Sequence, residues 1–201
     1  MGAGMSAPGP QEGAALPVFR YHPDPMATGA VAAEPVVCRV CRRERSHRYT
    51  LPVYSEHDVD SVCPWCIADG SLAARFDAFL NDIAGHLPQG FEDDPDWADW
   101  STPPYLRVPE AVRDEVCRRT PGFSSWQEVD WLVCCNDAMQ YLGLADSCAI
   151  EHEPGLRRAL EEVGVPGEFI AELRADTNAS ILCHWFRCLH CTTSRGFVDS
   201  D

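Results

Sequence analysis

The chain has 201 residues, 45% of them hydrophobic and 23% charged, a globular composition long enough for one ordinary domain or two small subdomains. Its 31 acids against 16 bases give a formal charge of −15, a field that repels phosphate backbones and argues against nucleic-acid binding. No apolar run approaches the roughly 18 to 20 residues that cross a bilayer, so no membrane span is expected.

Residues 1–15 read as a disordered tail without the basic and apolar regions of a secretory signal, which makes a cytoplasmic protein the expectation. Leu16 to Phe19 suits a short strand, and Tyr21-His-Pro-Asp-Pro25 is turn chemistry, with His22 and Asp24 as turn builders rather than catalysts. Arg48 to Tyr54 is β-rich around Pro52. Asp69-Gly-Ser71 suits a helix start, after which Leu72, Phe76, Phe79, Leu80 and Ile83 share one helical face. Gly85 to Pro104 reads as a long acidic loop carrying Trp97 and Trp100.

Pro109 opens a helix running to about Arg119, which Thr120-Pro-Gly-Phe123 breaks. Ser124 and Gln127 form a capping-box pattern, predicting a helix through Trp131 to about Leu142, with Trp126 and Trp131 in the core and Gly143 as the stop. Short helices are expected over Pro154 to Val163 and Gly167 to Arg174, then a strand over Ile181 to Phe186 and another near Phe197. The fold class is α+β: a treble-clef-like zinc-knuckle part over 16–84, and a helical part over 105–201 ending in a Cys-x-x-Cys hairpin, together one domain.

An odd count of eleven cysteines without a signal peptide argues against a disulfide framework. Cys38-x-x-Cys41 and Cys63-x-x-Cys66, separated by 21 residues, are a zinc pattern. Two residues between ligands allow a tight knuckle that places both sulfurs about 2.3 Å from one ion. Four protein ligands close the tetrahedron, so the site is structural. Buried unliganded thiols are the plain alternative. A thioredoxin-type use of Cys63-Pro-Trp-Cys66 lacks a surrounding βαβ pattern and leaves Cys38 and Cys41 unexplained. Asp69 is expected to cap a helix or to support the knuckle by a hydrogen bond.

Cys188-Leu-His-Cys191 is a third pair and needs two more ligands. Cys134 and Cys135 are candidates, with His184 and His190 spare. Adjacent residues on a helix point about 100° apart, so both reaching one ion would require that helix to fray. A second Zn²⁺ and a set of buried thiols both remain open. Each four-thiolate zinc site adds about −2, and two take the chain from −15 to about −19. Cys117, Cys148 and Cys183 are read without a metal role.

Leu16-Pro-x-Phe-x-Tyr-His-Pro23, Thr28-Gly29, the two Cys-x-x-Cys pairs with Cys63-Pro-Trp-Cys-Ile-Ala-Asp-Gly-Ser71, Arg119-Thr-Pro-Gly-Phe123 with Trp126-Gln127, and Phe186-Arg-Cys-Leu-His-Cys191 follow in order. Together they resemble the CbrC family of bacterial proteins, named for colicin tolerance. The resemblance covers the chain from about Leu16 to near its end. It implies a link to stress or toxin tolerance and supplies no reaction. Family members typically carry His-Cys-Gly-Asp where this chain has Cys134-Cys135-Asn136-Asp137, and Gly where it has Thr192.

These observations predict a non-enzymatic zinc-stabilised module that binds a basic protein partner. The alternative is an enzyme, either a thiol oxidoreductase at Cys63/Cys66 or a zinc enzyme at the C-terminal cysteines.

Overall fold

The computed structural model describes residues 15–83, 108–127, 130–176 and 178–200. The expected tail over 1–14 and the expected acidic loop with Trp97 and Trp100 lie outside the described residues. The fold mixes helix and strand, with small hairpins ahead of one three-stranded sheet.

The N-terminal part contains β1 (Val31–Ala32), β2 (Val36–Val37), β3 (Glu44–Arg45) and β4 (Arg48–Tyr49). β1 pairs antiparallel with β4, and β2 with β3. Two short helices follow, α1 (Pro64–Ala68) and α2 (Ser71–Phe76). Proline at the start of α1 suits a position whose N–H has no helical partner. α2 begins where expected but stops at Phe76 instead of running to Ile83. Asp77 turns left-handed at φ 43°, and Phe79 then bridges Tyr54 as extended chain. Leu16 to Phe19 is not a strand; Phe19 instead joins a core with Cys38, Val40, Tyr49, Val62, Cys63, Cys66, Ile67, Leu72 and Leu80.

Helix α3 (Glu110–Arg119) matches the sequence expectation, with Pro109 at its N-cap. The break after it is a wedge between the two parts. Gly122 N donates to the Tyr49 hydroxyl at 3.2 Å, and Asn81 Nδ2 donates to Val116 O at 2.8 Å and Thr120 O at 2.9 Å. A Cβ on Gly122 would sit 2.8 Å from Asn81 Oδ1 and 3.2 Å from Leu80 O, so only glycine allows this approach.

Among the described residues the expected helix from Ser124 to Leu142 does not form, and its second half is taken by strands. Trp126 N and Gln127 N, the groups a helix start would leave free, donate to the buried Asp199 carboxylate at 2.6 and 3.2 Å. β5 (Val133–Cys134) and β6 (Asp137–Ala138) form a hairpin through Cys135 and Asn136, both left-handed at φ 54° and 57°. Two successive positive φ values suit the tight turn of a two-residue hairpin. The Trp131 indole Nε1–H closes this region on Met139 O at 2.7 Å. Trp131 is core as expected, whereas Trp126 is exposed.

β7 (Gln140–Leu144), β8 (Ile181–Arg187) and β9 (Ser194–Ser200) form an antiparallel meander in the order β7-β8-β9. Between β7 and β8 lie α4 (Ser147–His152), α5 (Pro154–Glu162) and α6 (Gly167–Glu172). Asp146 caps α4 by accepting from Ala149 N at 2.8 Å, a helix the sequence reading missed. α5 crosses β9 at Gly196, where a Cβ would lie 2.7 Å from Leu160 Cδ2. A second core gathers Tyr21, Ile83, Val116, Trp131, Met139, Tyr141 and Phe186. A third joins Ile150, Leu156, Leu160, Ile170, Leu173 and Cys183.

Candidate metal centres

Two groups of four cysteine sulfurs each gather within 4.8 Å of one another: Cys38, Cys41, Cys63 and Cys66, and Cys134, Cys135, Cys188 and Cys191. Each group can hold a metal ion.

The first set is built by the β2–β3 hairpin and the start of α1. Cys38 and Cys41 flank the hairpin turn, tightened by Arg42 N donating to Cys38 O at 2.8 Å with Arg42 left-handed at φ 57°. Cys63 is the N-cap of α1 and Cys66 lies inside it. Cys38 Sγ and Cys66 Sγ are 3.8 Å apart, and Cys63 N donates to Cys38 Sγ at 3.4 Å. Cys38, Cys63 and Cys66 are buried, with Cys41 partly covered. The Arg45 guanidinium reaches Cys41 and lies 5.1 Å above the Trp65 ring, placing a cation against the set. Crowding makes these sulfurs share protons. Hydrogen bonds from Cys63 and Cys66 hold Cys38 far below the usual thiol range, while the bond with Cys38 pushes Cys63 up to about 12 and Cys66 well above that range. A reactive dithiol is exposed to its partner, and Cys63 and Cys66 are both buried.

Asp69 serves the helix. Its Oδ1 accepts from Ser71 N at 2.9 Å and Ser71 Oγ at 2.6 Å, fixing the start of α2. Ser71 Oγ in turn lies 3.4 Å from Cys66 O, so Asp69 reaches the knuckle only through Ser71.

The second set joins the β5–β6 turn to the loop between β8 and β9. Cys134 ends β5 and Cys135 opens the left-handed turn after it, rather than both lying on a helix, which lets both sulfurs face one point. Cys134 Sγ is 3.8 Å from both Cys135 Sγ and Cys191 Sγ. His190 N donates to Cys188 Sγ at 3.3 Å, and the Thr193 hydroxyl lies 3.2 Å from Cys191 Sγ. Cys134 and Cys188 are buried, but Cys135 and Cys191 are exposed. Burial, then bonds with Cys188 and Cys191, push Cys134 up to about 12. The Thr193 hydroxyl and backbone lower Cys191 to about 6.

Behind this set stands Asp137, which the sequence reading did not single out. Its carboxylate accepts from Tyr21 Oη at 2.7 Å, Arg20 Nη2 at 2.6 Å and His190 Nε2 at 2.6 Å. Burial alone would raise this carboxyl, but bonds from Tyr21 and His190 and the charge on Arg20 hold it below the usual range. Asp137 thus ties the turn bearing Cys134 and Cys135 to the loop bearing Cys188 and Cys191. No local spacing marks it, because its side-chain partners lie at positions 20, 21 and 190.

The spare histidines are not sulfur-set members. His190 pairs with Asp137. His184 is buried in β8, with Nδ1 3.1 Å from Tyr141 Oη and Nε2 3.7 Å from Asp199. His22 is fully buried between Pro121 O at 2.9 Å and Thr28 Oγ1 at 2.7 Å, and Asp24 accepts from Ala27 N at 2.9 Å. Asp24 thus bonds within its own turn, whereas His22 also ties that turn to the distant Pro121. Cys117, Cys148 and Cys183 stand outside the two sets.

No solved structure matches the chain. Residues 16–200 match the model of a family described as "Uncharacterised protein family (UPF0167)". The UPF0167 protein Mb2317 of Mycobacterium bovis is 39% identical over 191 residues, covering 92% of this chain and 93% of that protein. The UPF0167 protein PA1536 of Pseudomonas aeruginosa is 36% identical over 184 residues, covering 88% and 92%. With a match over nearly its whole length, the chain belongs to the UPF0167 family.

Proposed function

We propose that this chain is a non-enzymatic module, stabilised by two structural zinc ions, that acts by binding a basic protein partner. The observation that carries the zinc reading is the 3.8 Å separation of Cys38 from Cys66 in the first set, and of Cys134 from Cys135 and Cys191 in the second, with all four sulfurs of each set within 4.8 Å. A tetrahedron with zinc–sulfur bonds of about 2.3 Å has edges of about 3.8 Å. A disulfide requires about 2.05 Å. Cys38, Cys41, Cys63 and Cys66 hold the first ion, and Cys134, Cys135, Cys188 and Cys191 the second. Each set fills all four positions, leaving no open position for a substrate. Hard oxygen-seeking cations do not suit four thiolates.

A knuckle in the β2–β3 hairpin followed by a ligand-bearing helix supports a treble-clef-like layout for 16–84, joined to 105–201 in one domain. Eleven unbridged thiols support a reducing, cytoplasmic setting. Both the CbrC resemblance and the UPF0167 match begin near residue 16, and we take them as one family, with toxin tolerance as the context that resemblance supplies. The charge of −15 favours a cationic partner.

Elemental analysis and salt titration test this reading. Two zinc ions per chain, and binding to a basic protein that weakens steeply with salt, are expected. A folded metal-free chain would contradict the zinc assignment, and salt-insensitive binding would contradict the electrostatic one.

A further inference from the structure

The segments after β4 and after α2 build an aromatic cup rimmed by acids, and none of the eight clustered cysteines lines it. Tyr54 N donates to Phe79 O at 3.0 Å, and Phe79 N to Tyr54 O at 2.9 Å. This bridge stacks the two rings with centroids 5.3 Å apart and planes 16° from parallel. Both rings stay open to solvent, Tyr54 at 51% and Phe79 at 40% exposure. Among the described residues no other pair of exposed large apolar side chains is in ring contact.

The cup is held in shape from below. Ser55 Oγ donates to Phe76 O at 2.7 Å, His57 N donates to Ser55 Oγ at 3.1 Å, and the His57 ring sits edge-on to Phe76 at 5.9 Å. Ser55, Glu56, His57, Phe76, Asp77 and Phe79 line a cavity of about 500 Å³. Glu56 and Asp77 bring carboxylates to it, and the exposed Asp58 and Asp60 follow. Asp77 already takes one guanidinium, from Arg118 at 3.1 Å, yet its side chain stays 89% exposed.

We propose that this cup binds an arginine side chain of a basic partner segment, with the guanidinium against the Tyr54–Phe79 rings and paired with Glu56 and Asp77. The assignment rests on the basic-partner reading above and locates its contact. Aromatic faces attract cations, and guanidinium also stacks flat on them and pairs with carboxylates in a fork. An anion would meet the carboxylates of Glu56 and Asp77. A purely apolar group would strip water from Glu56 and Asp77 without replacing their hydrogen bonds.

The test uses the full metal-loaded chain and a fluorescein-labelled hexa-arginine peptide, read by anisotropy at low salt. Tyr54→Leu and Phe79→Leu remove a ring while keeping charge and apolar bulk, and each is expected to raise the Kd about fivefold. Hexa-lysine is expected to bind more weakly than hexa-arginine. Amide shifts in the unaltered chain should concentrate on residues 54–57 and 76–79, a readout that survives if a variant misfolds. Salt-sensitive binding that ignores both leucine variants, or shifts scattered over the surface, would overturn the cup and leave the basic-partner reading standing. Failure of the unaltered chain to bind either peptide would overturn both.

Discussion

The two cysteine sets share a sulfur geometry and differ in what surrounds it. The first lies inside the N-terminal core, packed by Val40, Val62, Ile67 and Leu72. The second lies at the rim of the middle core, with Cys135 and Cys191 facing water. The first set closes a core of very short strands and helices that bury little area alone. The second staples a hairpin turn to a loop beside a sheet with its own seven-residue strands. Equal numbers of clustered cysteines therefore do not imply equal weight. Removing an ion should be costly where it replaces a core and milder where a core already exists.

The largest effect should separate the sets directly. Cys38→Ser is expected to unfold the N-terminal part, because structural zinc in small modules carries roughly 10 kcal/mol or more of folding energy. Cys135→Ser should weaken the second ion while amide signals of β7, β8 and β9 persist. Comparing the two variants by thermal denaturation and amide spectra checks this; equal collapse would break the comparison.

Acid sensitivity sharpens it from outside both sets. Burial lowers His22 to about 4, against 6.5 when unfolded. The unfolded state thus binds a proton first as pH falls. His22 contributes stability in full above about pH 6.5, and loses it between there and about pH 4. That shift is worth about 3 kcal/mol. The stability difference between the natural chain and His22→Gln, followed by denaturant from pH 7 to 4, should shrink over that window. A difference independent of pH would remove His22 from the account.

Asp137→Asn should act on the second set alone. It weakens the bridge to His190 and the ion pair with Arg20, lowering second-site metal affinity by about 10- to 100-fold, as is usual for groups that orient ligands. Competition with a chelator measures it; an equal loss at the first set would refute the assignment. Asp69→Ala, the smallest change, should cost about 1 kcal/mol through the start of α2 and leave metal affinity unchanged.

The first set was legible in the sequence because its cysteines come in two spaced pairs, each forming a local turn. Cys188 and Cys191 were legible for the same reason. Cys134 and Cys135 were obscured by the capping pattern at Ser124 and Gln127, which suggested a helix. What overrides that local preference is long-range: Asp199, more than seventy positions later, takes the N–H groups of Trp126 and Gln127. The Asp137 network joins residues 20, 21, 137 and 190, and no local spacing encodes it. The stop at Asp77 was likewise hidden, since Phe79, Leu80 and Ile83 fit a helical face and become buried or bridged as extended chain.

The central claim is tested most directly by native mass spectrometry of the full chain during titration with a chelator. The account predicts two zinc ions per chain, one leaving early with Cys135 and Cys191 becoming alkylatable, the other retained until the N-terminal part unfolds. A folded chain carrying no metal, or loss of the ion at Cys38, Cys41, Cys63 and Cys66 first, would contradict it.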